Sequence, residues 1–168
     1  MSMRVIDNYL PENSFNRLRD LICFNGDFPF SLVDYVSENN EKQKLDDWYG
    51  VHIFYKQDVP QSPHYNVINE HLVYRVRMDM GMKSFMRGKC NFYGHTQSIV
   101  EHQPHYDFAF NHTAAIYSLN TCDGFTRIGE KKVDSVANRI VFFDGSEMHN
   151  SSSTTNTKGR FNISINFI

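Results

Sequence analysis

Three residues in the second half of the chain have types and spacings that suit metal binding. His105 and Asp107 lie two positions apart, and on a β-strand that spacing places both side chains on one face, about 7 Å apart along the chain. His149 could add a third ligand from a distant strand. Two histidines and one carboxylate form a ligand set that leaves other coordination positions of non-haem Fe(II) open. We therefore predict an Fe(II) site at His105, Asp107 and His149.

Arg160 follows His149 by eleven residues and supplies a planar fork of hydrogen-bond donors. A guanidinium holds a carboxylate through two parallel hydrogen bonds, and a buried one needs an anionic partner to offset its desolvation. This combination favours an oxygenase with a dicarboxylate co-substrate over a zinc hydrolase that activates a single water. A metal-stabilised jelly roll without catalytic activity is the alternative that the residues leave open.

The composition restricts the class of protein. The chain has 168 residues, of which 40% are hydrophobic, and it contains 14 Phe and 9 Tyr. That length supports one domain, residues 1–168, and the many aromatic residues favour strands. The formal net charge is −2, so we expect no nucleic-acid partner, since no basic patch is evident. The substrate is then expected to be a peptide or a small molecule, and the composition says nothing about oligomeric state.

The cysteines and the N-terminus predict the compartment. Cys23, Cys90 and Cys122 are odd in number and have no paired spacing, which is typical of reduced thiols. The first residues lack the apolar run of a signal peptide, and no stretch approaches the roughly 18 apolar residues of a membrane span. We therefore expect a cytoplasmic protein without a membrane segment.

The order of predicted elements indicates a β-rich fold supported by helices. Helical spacing is present from Pro11 to Cys23 and again at Val67, Ile68, Leu72 and Val76, with Gly81 as the stop signal. Strands are predicted at 48–55, 83–93, 98–103, 105–110, 113–120, 124–128, 132–135, 138–143, 147–151 and 160–168. We predict a double-stranded β-helix (a cupin-like jelly roll) over about 83–168, with helical support over about 1–80.

Two features of the last segment bear on a cavity. In the final strand Arg160, Asn162, Ser164 and Asn166 alternate with apolar residues, so the polar face could line a cavity and the apolar face could pack on the core. Residues 151–159 are small and polar. We predict a surface hairpin loop there, and a mobile flap beside the site is the alternative.

Four segments match a known family pattern. They are residues 104–108 (Pro-His-Tyr-Asp-Phe), 116–120 (Ile-Tyr-Ser-Leu-Asn), 124–126 (Gly-Phe-Thr) and 138–144 (Asn-Arg-Ile-Val-Phe-Phe-Asp), the last followed by His149 and Arg160. With them the chain resembles the prolyl-4-hydroxylase-like branch of the Fe(II)/2-oxoglutarate-dependent oxygenases. Residues 28–30 and 48–52 extend the resemblance to the compact members that marine bacteriophages encode, which implies a host cytoplasm.

The resemblance implies a role for each matched residue. His105, Asp107 and His149 would bind Fe(II), and Arg160 would pair with the distal carboxylate of 2-oxoglutarate. Three further residues would belong to the co-substrate site, namely Tyr93, Thr126 and Ser118, the last standing where this branch often has a tyrosine. The implied reaction consumes 2-oxoglutarate and dioxygen and hydroxylates an aliphatic C–H bond. A prolyl residue of a peptide or protein is the expected substrate, and a free amino acid or small metabolite is the alternative, as is a binding module without turnover.

Overall fold

The computed structural model describes residues 2–34 and 48–168. Two helical segments agree with the helical spacing in the sequence, and each includes one π-helical turn. The first consists of α1 (Glu12–Arg19) and the turn Asp20–Phe24; the second consists of α2 (Tyr65–Ile68), the turn Asn69–Val73 and α3 (Tyr74–Met80). The first begins directly after Pro11, and the second ends at Gly81, whose φ is 66°, a left-handed conformation that glycine adopts without steric cost. Within the described part of the chain, no helix is long and apolar enough to cross a bilayer.

Eleven strands are described, and they form two sheets. Their bounds are β1 (Arg4–Ile6), β2 (Ser31–Val33), β3 (Tyr49–Lys56), β4 (Val59–Pro60), β5 (Phe85–Gly94), β6 (Thr113–Ser118), β7 (Phe125–Ile128), β8 (Lys131–Asp134), β9 (Arg139–Asp144), β10 (His149–Ser151) and β11 (Gly159–Phe167). The large sheet has the order β1-β9-β6-β11-β5-β3-β2, with β4 paired to β3, and the small sheet has the order β10-β7-β8. The predicted double-stranded β-helix with packed helices is confirmed.

Two predicted strands do not form. Residues 98–103 and 105–110 have no continuous ladder, and each region makes only an isolated bridge, Glu101 to Ser152 and His105 to His149. The facing strand β10 is three residues long. Beyond the His105 bridge the backbone therefore makes only single hydrogen bonds, such as His102 N to the Ser151 carbonyl at 2.9 Å and Asp107 N to the Gly145 carbonyl at 3.2 Å. Residues 1–80, for which helical support and one strand at 48–55 were predicted, supply both helical segments and the strands β1 to β4.

The large sheet separates an apolar face from a polar one. On β11, Ile163, Ile165 and Phe167 are buried in the main core with residues from both helical segments, such as Leu18 and Leu72. The intervening positions, Arg160, Asn162, Ser164 and Asn166, are buried as well but face the opposite way. The helices therefore cover one face of the sheet, and the polar face is directed at the small sheet.

The loop between β10 and β11 is buried in its first part and exposed at its tip. Ser152, Ser153 and Thr154 have exposures of 0 to 2%, unlike a surface loop, whereas residues 155–158 are partly or fully exposed, as the prediction of a surface hairpin requires. The Asp123 carboxylate accepts hydrogen bonds from Thr154 Oγ1 at 2.8 Å and Thr155 N at 2.9 Å, and also from the Thr155 hydroxyl. These contacts fix the turn and do not favour a mobile flap.

We predict that Asp123→Ala destabilises the fold by about 1–3 kcal/mol, because several hydrogen bonds to a charged acceptor are lost. Burial alone would raise the pKa of Asp123, but hydrogen bonds from Thr155 and Thr154 outweigh it and lower the pKa to about 2 from 3.8. A lowered carboxyl pKa contributes stability that is present above the unfolded pKa and is lost as pH falls through the folded pKa. Urea unfolding at pH 7, 4 and 3 would measure both effects.

The control is Asp134→Ala, which removes an exposed carboxylate that contacts Lys132 at 3.3 Å and should cost less than about 1 kcal/mol. The Asp123→Ala deficit should shrink as the pH falls below 4. A deficit equal to that of the control, or one that does not change with pH, would contradict the assigned role of Asp123.

Candidate metal and co-substrate site

The structure brings together the three predicted metal ligands. His149 opens β10, and its backbone exchanges two hydrogen bonds with His105, N to O at 2.9 Å and 2.8 Å. One ligand atom from each of His105, Asp107 and His149 lies within 4.8 Å of the other two. The local geometry differs from the prediction, because Asp107 lies on a bend rather than a strand, with its N–H donating to the Gly145 carbonyl at 3.2 Å. Tertiary contacts, and not strand alternation, therefore aim this carboxylate.

The two histidines present neutral imidazoles to the site. His149 Nδ1 lies 2.8 Å from the Glu147 carbonyl, an arrangement in which Nδ1–H donates and Nε2 is left as the ligand atom. His149 Nε2 lies 3.7 Å from Asp107 Oδ2. Burial, reinforced by His149, lowers the pKa of His105 to about 4, and burial also lowers the pKa of His149. Both rings are thus free of a proton at the nitrogen that a metal needs at neutral pH.

Asp107 is held by Asn166, which the sequence placed on the polar face of the final strand, and by Arg87, which the sequence analysis did not name. Arg87 forms an ion pair with Asp107 Oδ1, and Asn166 Nδ2 donates to Oδ2 at 2.8 Å. Arg87 Nε also donates to Asn166 Oδ1 at 3.1 Å, so the two residues support each other. Burial alone would raise the pKa of Asp107, but the Arg87 and Lys89 cations outweigh it and hold the pKa well below its usual range.

The alternation of polar residues along β5 could have identified Arg87 and Lys89 from the sequence. This strand alternates as β11 does, with Arg87, Lys89, Asn91 and Tyr93 on one face, and these four pair with Asn166, Ser164, Asn162 and Arg160 respectively. Two polar faces on neighbouring strands of one sheet must meet on the same side. The period of two on β5 could therefore have assigned Arg87 and Lys89 to the cavity.

Arg160 lies near the start of β11 and is buried, with an exposure of 1%. Its Nη2 donates to Thr126 Oγ1 at 2.6 Å and its Nη1 to the Ser152 carbonyl at 3.3 Å, and the guanidinium lies 5.3 Å from the centre of the Tyr93 ring. Arg160 Nε is buried without a hydrogen-bond partner, and no carboxylate of the described chain pairs with this side chain. Burial lowers the pKa of Arg160, although the group stays charged.

The polar groups surround one cleft between the two sheets. Its wall is formed by Lys89, Asn91, Tyr93, His105, Asp107, Ile116, Thr126, His149, Asn150, Ser151, Asn162 and Ser164. Tyr93 and Thr126 line this cleft and lie beside Arg160. Ser118 is buried beside Asn162, its partner across the β6–β11 ladder, and is not one of the described residues that form the wall.

The arrangement has the parts that a dianion and a divalent ion require. Arg160 supplies an unmatched positive charge at one end, and His105, Asp107 and His149 supply two imidazoles and a carboxylate at the other. This donor set suits a divalent transition metal with vacant positions. A buried cation without a counter-charge is costly unless an anion binds beside it.

Comparison with known proteins gives the fold. No protein-family model matches the sequence, and no protein of curated function does. Solved structures do match. They include a prolyl hydroxylase from Trichoplax adhaerens in complex with a hypoxia inducible factor oxygen degradation domain peptide, with a TM-score of 0.72, 12% identity, and coverage of 99% of this chain and 83% of that one.

Two further structures agree. An oxidoreductase of the 2OG-Fe(II) oxygenase family from Burkholderia pseudomallei matches with a TM-score of 0.69 at 10% identity, covering 98% of this chain and 84% of that one. The viral collagen prolyl hydroxylase from Paramecium Bursaria Chlorella virus-1, as its 2OG complex, matches at 0.62 with 12% identity, covering 99% and 95%. The fold of this chain is therefore the one that these oxygenases share.

Proposed function

We propose that this protein is an Fe(II)- and 2-oxoglutarate-dependent dioxygenase that hydroxylates an aliphatic C–H bond, with a prolyl residue of a peptide or protein as substrate. The observation that carries the proposal is the unmatched charge of buried Arg160, which is bonded to Thr126 in the wall of the cleft that His105, Asp107 and His149 also line. A set of two histidines and one carboxylate is by itself compatible with several classes of metalloprotein. A buried guanidinium beside it, without a carboxylate partner in the described chain, selects those that bind an anionic co-substrate.

The residues fit Fe(II). His105, Asp107 and His149 would hold the ion, and a set of three protein ligands would leave coordination positions free for the co-substrate and dioxygen. When bound, Fe(II) couples the oxidative decarboxylation of 2-oxoglutarate by dioxygen, which yields succinate and carbon dioxide, to hydroxylation of the substrate. Arg87 and Asn166 orient the Asp107 carboxylate for this role through the contacts described above.

The other predicted residues have roles in holding the co-substrate. Arg160 would form paired hydrogen bonds with the distal carboxylate of 2-oxoglutarate, and the Thr126 hydroxyl fixes the guanidinium in place. Tyr93 would pack its ring beside the same carboxylate, since it lies in the cleft wall next to Arg160. We assign Ser118 a supporting place beside Asn162, its partner across the β6–β11 ladder.

The substrate assignment rests on likeness to enzymes that act on proline. Two of the similar structures are prolyl hydroxylases, one with a peptide and one named for collagen. A free amino acid or small metabolite is the second candidate substrate, and a jelly roll that binds ligands without turnover is the competing class. The described cysteines are free thiols, which supports a cytoplasmic location.

The first functional prediction concerns Asp107. Asp107→Ala should weaken Fe(II) binding by tenfold or more and abolish succinate formation, because one of three protein ligands is lost. Anaerobic calorimetry would measure the metal affinity, and succinate would be quantified after air is admitted. Asp107→Asn keeps the shape if Asp107→Ala fails to fold, and Asp134→Ala is the matched surface control. Full metal content and full succinate formation in a folded Asp107 variant would refute the assignment.

The second prediction concerns Arg160. Arg160→Lys keeps one charge but loses the fork, so we expect a higher apparent 2-oxoglutarate requirement with a modest loss of maximal rate. Arg160→Ala should cost about 2–4 kcal/mol in 2-oxoglutarate binding, because a buried anion then lacks its partner. Thr126→Val, which removes only the hydroxyl bonded to Arg160, should cost about 1 kcal/mol. Unchanged 2-oxoglutarate dependence in Arg160→Ala would remove Arg160 from the site.

The third prediction concerns the substrate. A proline-containing peptide should stimulate succinate formation above the uncoupled rate, and mass spectrometry should find one added oxygen on proline. The peptide with alanine in place of proline is the control. Stimulation by a free metabolite but by no peptide would overturn the prolyl assignment, and no succinate with any substrate would favour the binding module.

A further inference from the structure

Lys89 is a positively charged group in the cleft that the proposed reaction does not use. It lies on β5, lines the same cleft as His105, Asp107 and His149, and is only partly exposed. In the described parts of the chain its ammonium makes neither a hydrogen bond nor an ion pair. Partial burial of an ammonium without a hydrogen-bond partner costs free energy. Binding of an anionic ligand beside Lys89 would offset that cost.

The carboxylate in the same cleft as Lys89 already has hydrogen-bond partners. Asp107 is the only carboxylate among the described residues that line the cleft, and its oxygens are bonded to Arg87 and Asn166. The same carboxylate is assigned to the metal. Arg87, Lys89 and Arg160 therefore supply three cations against one acidic group, and the ion and the dianionic co-substrate would cancel each other's charge. Two positive charges remain in excess, and one more anion would offset one of them.

The register of the strands places Lys89 at the metal end of the cleft. Lys89 pairs with Ser164 across the β5–β11 ladder. The next pair on the same face in one direction is Arg87–Asn166, which holds Asp107, and the second pair in the other direction is Tyr93–Arg160. A strand rises about 3.3 Å per residue, so Lys89 is about 13 Å along β5 from Tyr93, which lies beside the residue assigned to the distal carboxylate of the co-substrate. Lys89 is therefore at the end of the cleft where His105, Asp107 and His149 would hold the metal ion.

We propose that Lys89 is a specificity-determining residue that binds a free carboxylate of the substrate close to the carbon that is oxidised. This inference rests on the proposed dioxygenase activity and narrows its substrate: the oxidised residue is the C-terminal residue of a peptide, or the free amino acid named above as the second candidate, and not a residue inside a chain. Both sources present the same α-carboxylate, which an ammonium recognises through charge-assisted hydrogen bonds. Asn91, which donates to Asn162 at 2.8 Å, and Ser164 are the polar neighbours in the same wall.

The test measures binding without turnover. The Mn(II)-loaded protein with 2-oxoglutarate would be titrated with paired acids and amides, and binding followed by paramagnetic line broadening of the ligand NMR signals. The free amino acid arm uses L-proline and L-prolinamide, with other free amino acids as a panel. The chain-end arm uses N-acetylglycyl-L-proline and its amide, and a peptide with both ends blocked and proline inside is the neutral reference. We expect the acids of at least one arm to bind about tenfold or more tightly than their amides.

Variants assign the preference to Lys89. Lys89→Gln should weaken binding of the acid by about tenfold or more while leaving the amide unchanged, and Lys89→Arg should restore most of the acid's affinity. Lys56→Gln, an exposed lysine on β3, is the control. Binding of 2-oxoglutarate alone should change less than about twofold in Lys89→Gln, since its distal carboxylate is assigned to Arg160.

Each result separates the two proposals. Acids that bind no better than amides, or an acid preference that survives in folded Lys89→Gln, would overturn the role of Lys89. So would a larger loss of 2-oxoglutarate binding than of acid binding, because Lys89 would then belong to the co-substrate site. Wild-type protein that neither binds 2-oxoglutarate nor forms succinate would instead refute the proposed function.

Discussion

The antiparallel pairing of β5 with β11 is the constraint on which the cleft depends. Tyr93 pairs with Arg160, Asn91 with Asn162, Lys89 with Ser164, and Arg87 with Asn166. A slip of one residue would exchange the two faces of a strand, because successive side chains point to opposite sides. Such a slip would place Ile163 and Ile165 in the polar cleft and the polar residues in the main core. The helix-facing apolar residues thus enforce the register that assembles the site.

Burying so many polar groups is tolerated because most of them have partners. Asn91 bonds to Asn162, Asn166 bonds to Asp107, and Arg160 bonds to Thr126 and to the Ser152 carbonyl. The exceptions are informative. Among the described residues, Arg160 Nε is buried without a partner, as are three neutral atoms of the cleft wall, Asn91 Oδ1, His105 Nδ1 and Asn150 Oδ1. The Lys89 ammonium, which is partly exposed, makes no hydrogen bond in that part of the chain either, so two cationic groups lack a hydrogen-bond partner there. Unmatched positive charge at two points of one cleft is a feature that anionic ligands explain and that folding alone does not.

The surroundings of Asp107 combine two opposing electrostatic effects. Arg87 and Asn166 hold both carboxylate oxygens, which orients the ligand before a metal arrives. The same guanidinium withdraws charge from the carboxylate and so weakens its attraction for a cation. Second-shell contacts of this kind set metal affinity and ligand orientation together, and here they come from residues of β5 and β11 rather than from neighbours of Asp107 in sequence.

Local spacing in the sequence predicted the two helical segments and the polar face of β11, because residue type and period are local properties. His105, Asp107 and His149 were named as candidate ligands from their residue types together with the family resemblance. Local spacing could not predict that residues 105–110 form a bend, since strand formation needs a partner and β10 ends after three residues. Nor could local spacing predict that Arg87 contacts Asp107, or that the Lys89 ammonium makes no hydrogen bond to the described residues. Those contacts exist only because strands far apart in sequence close around one cleft, and the register that closes them is decided by packing of the whole core.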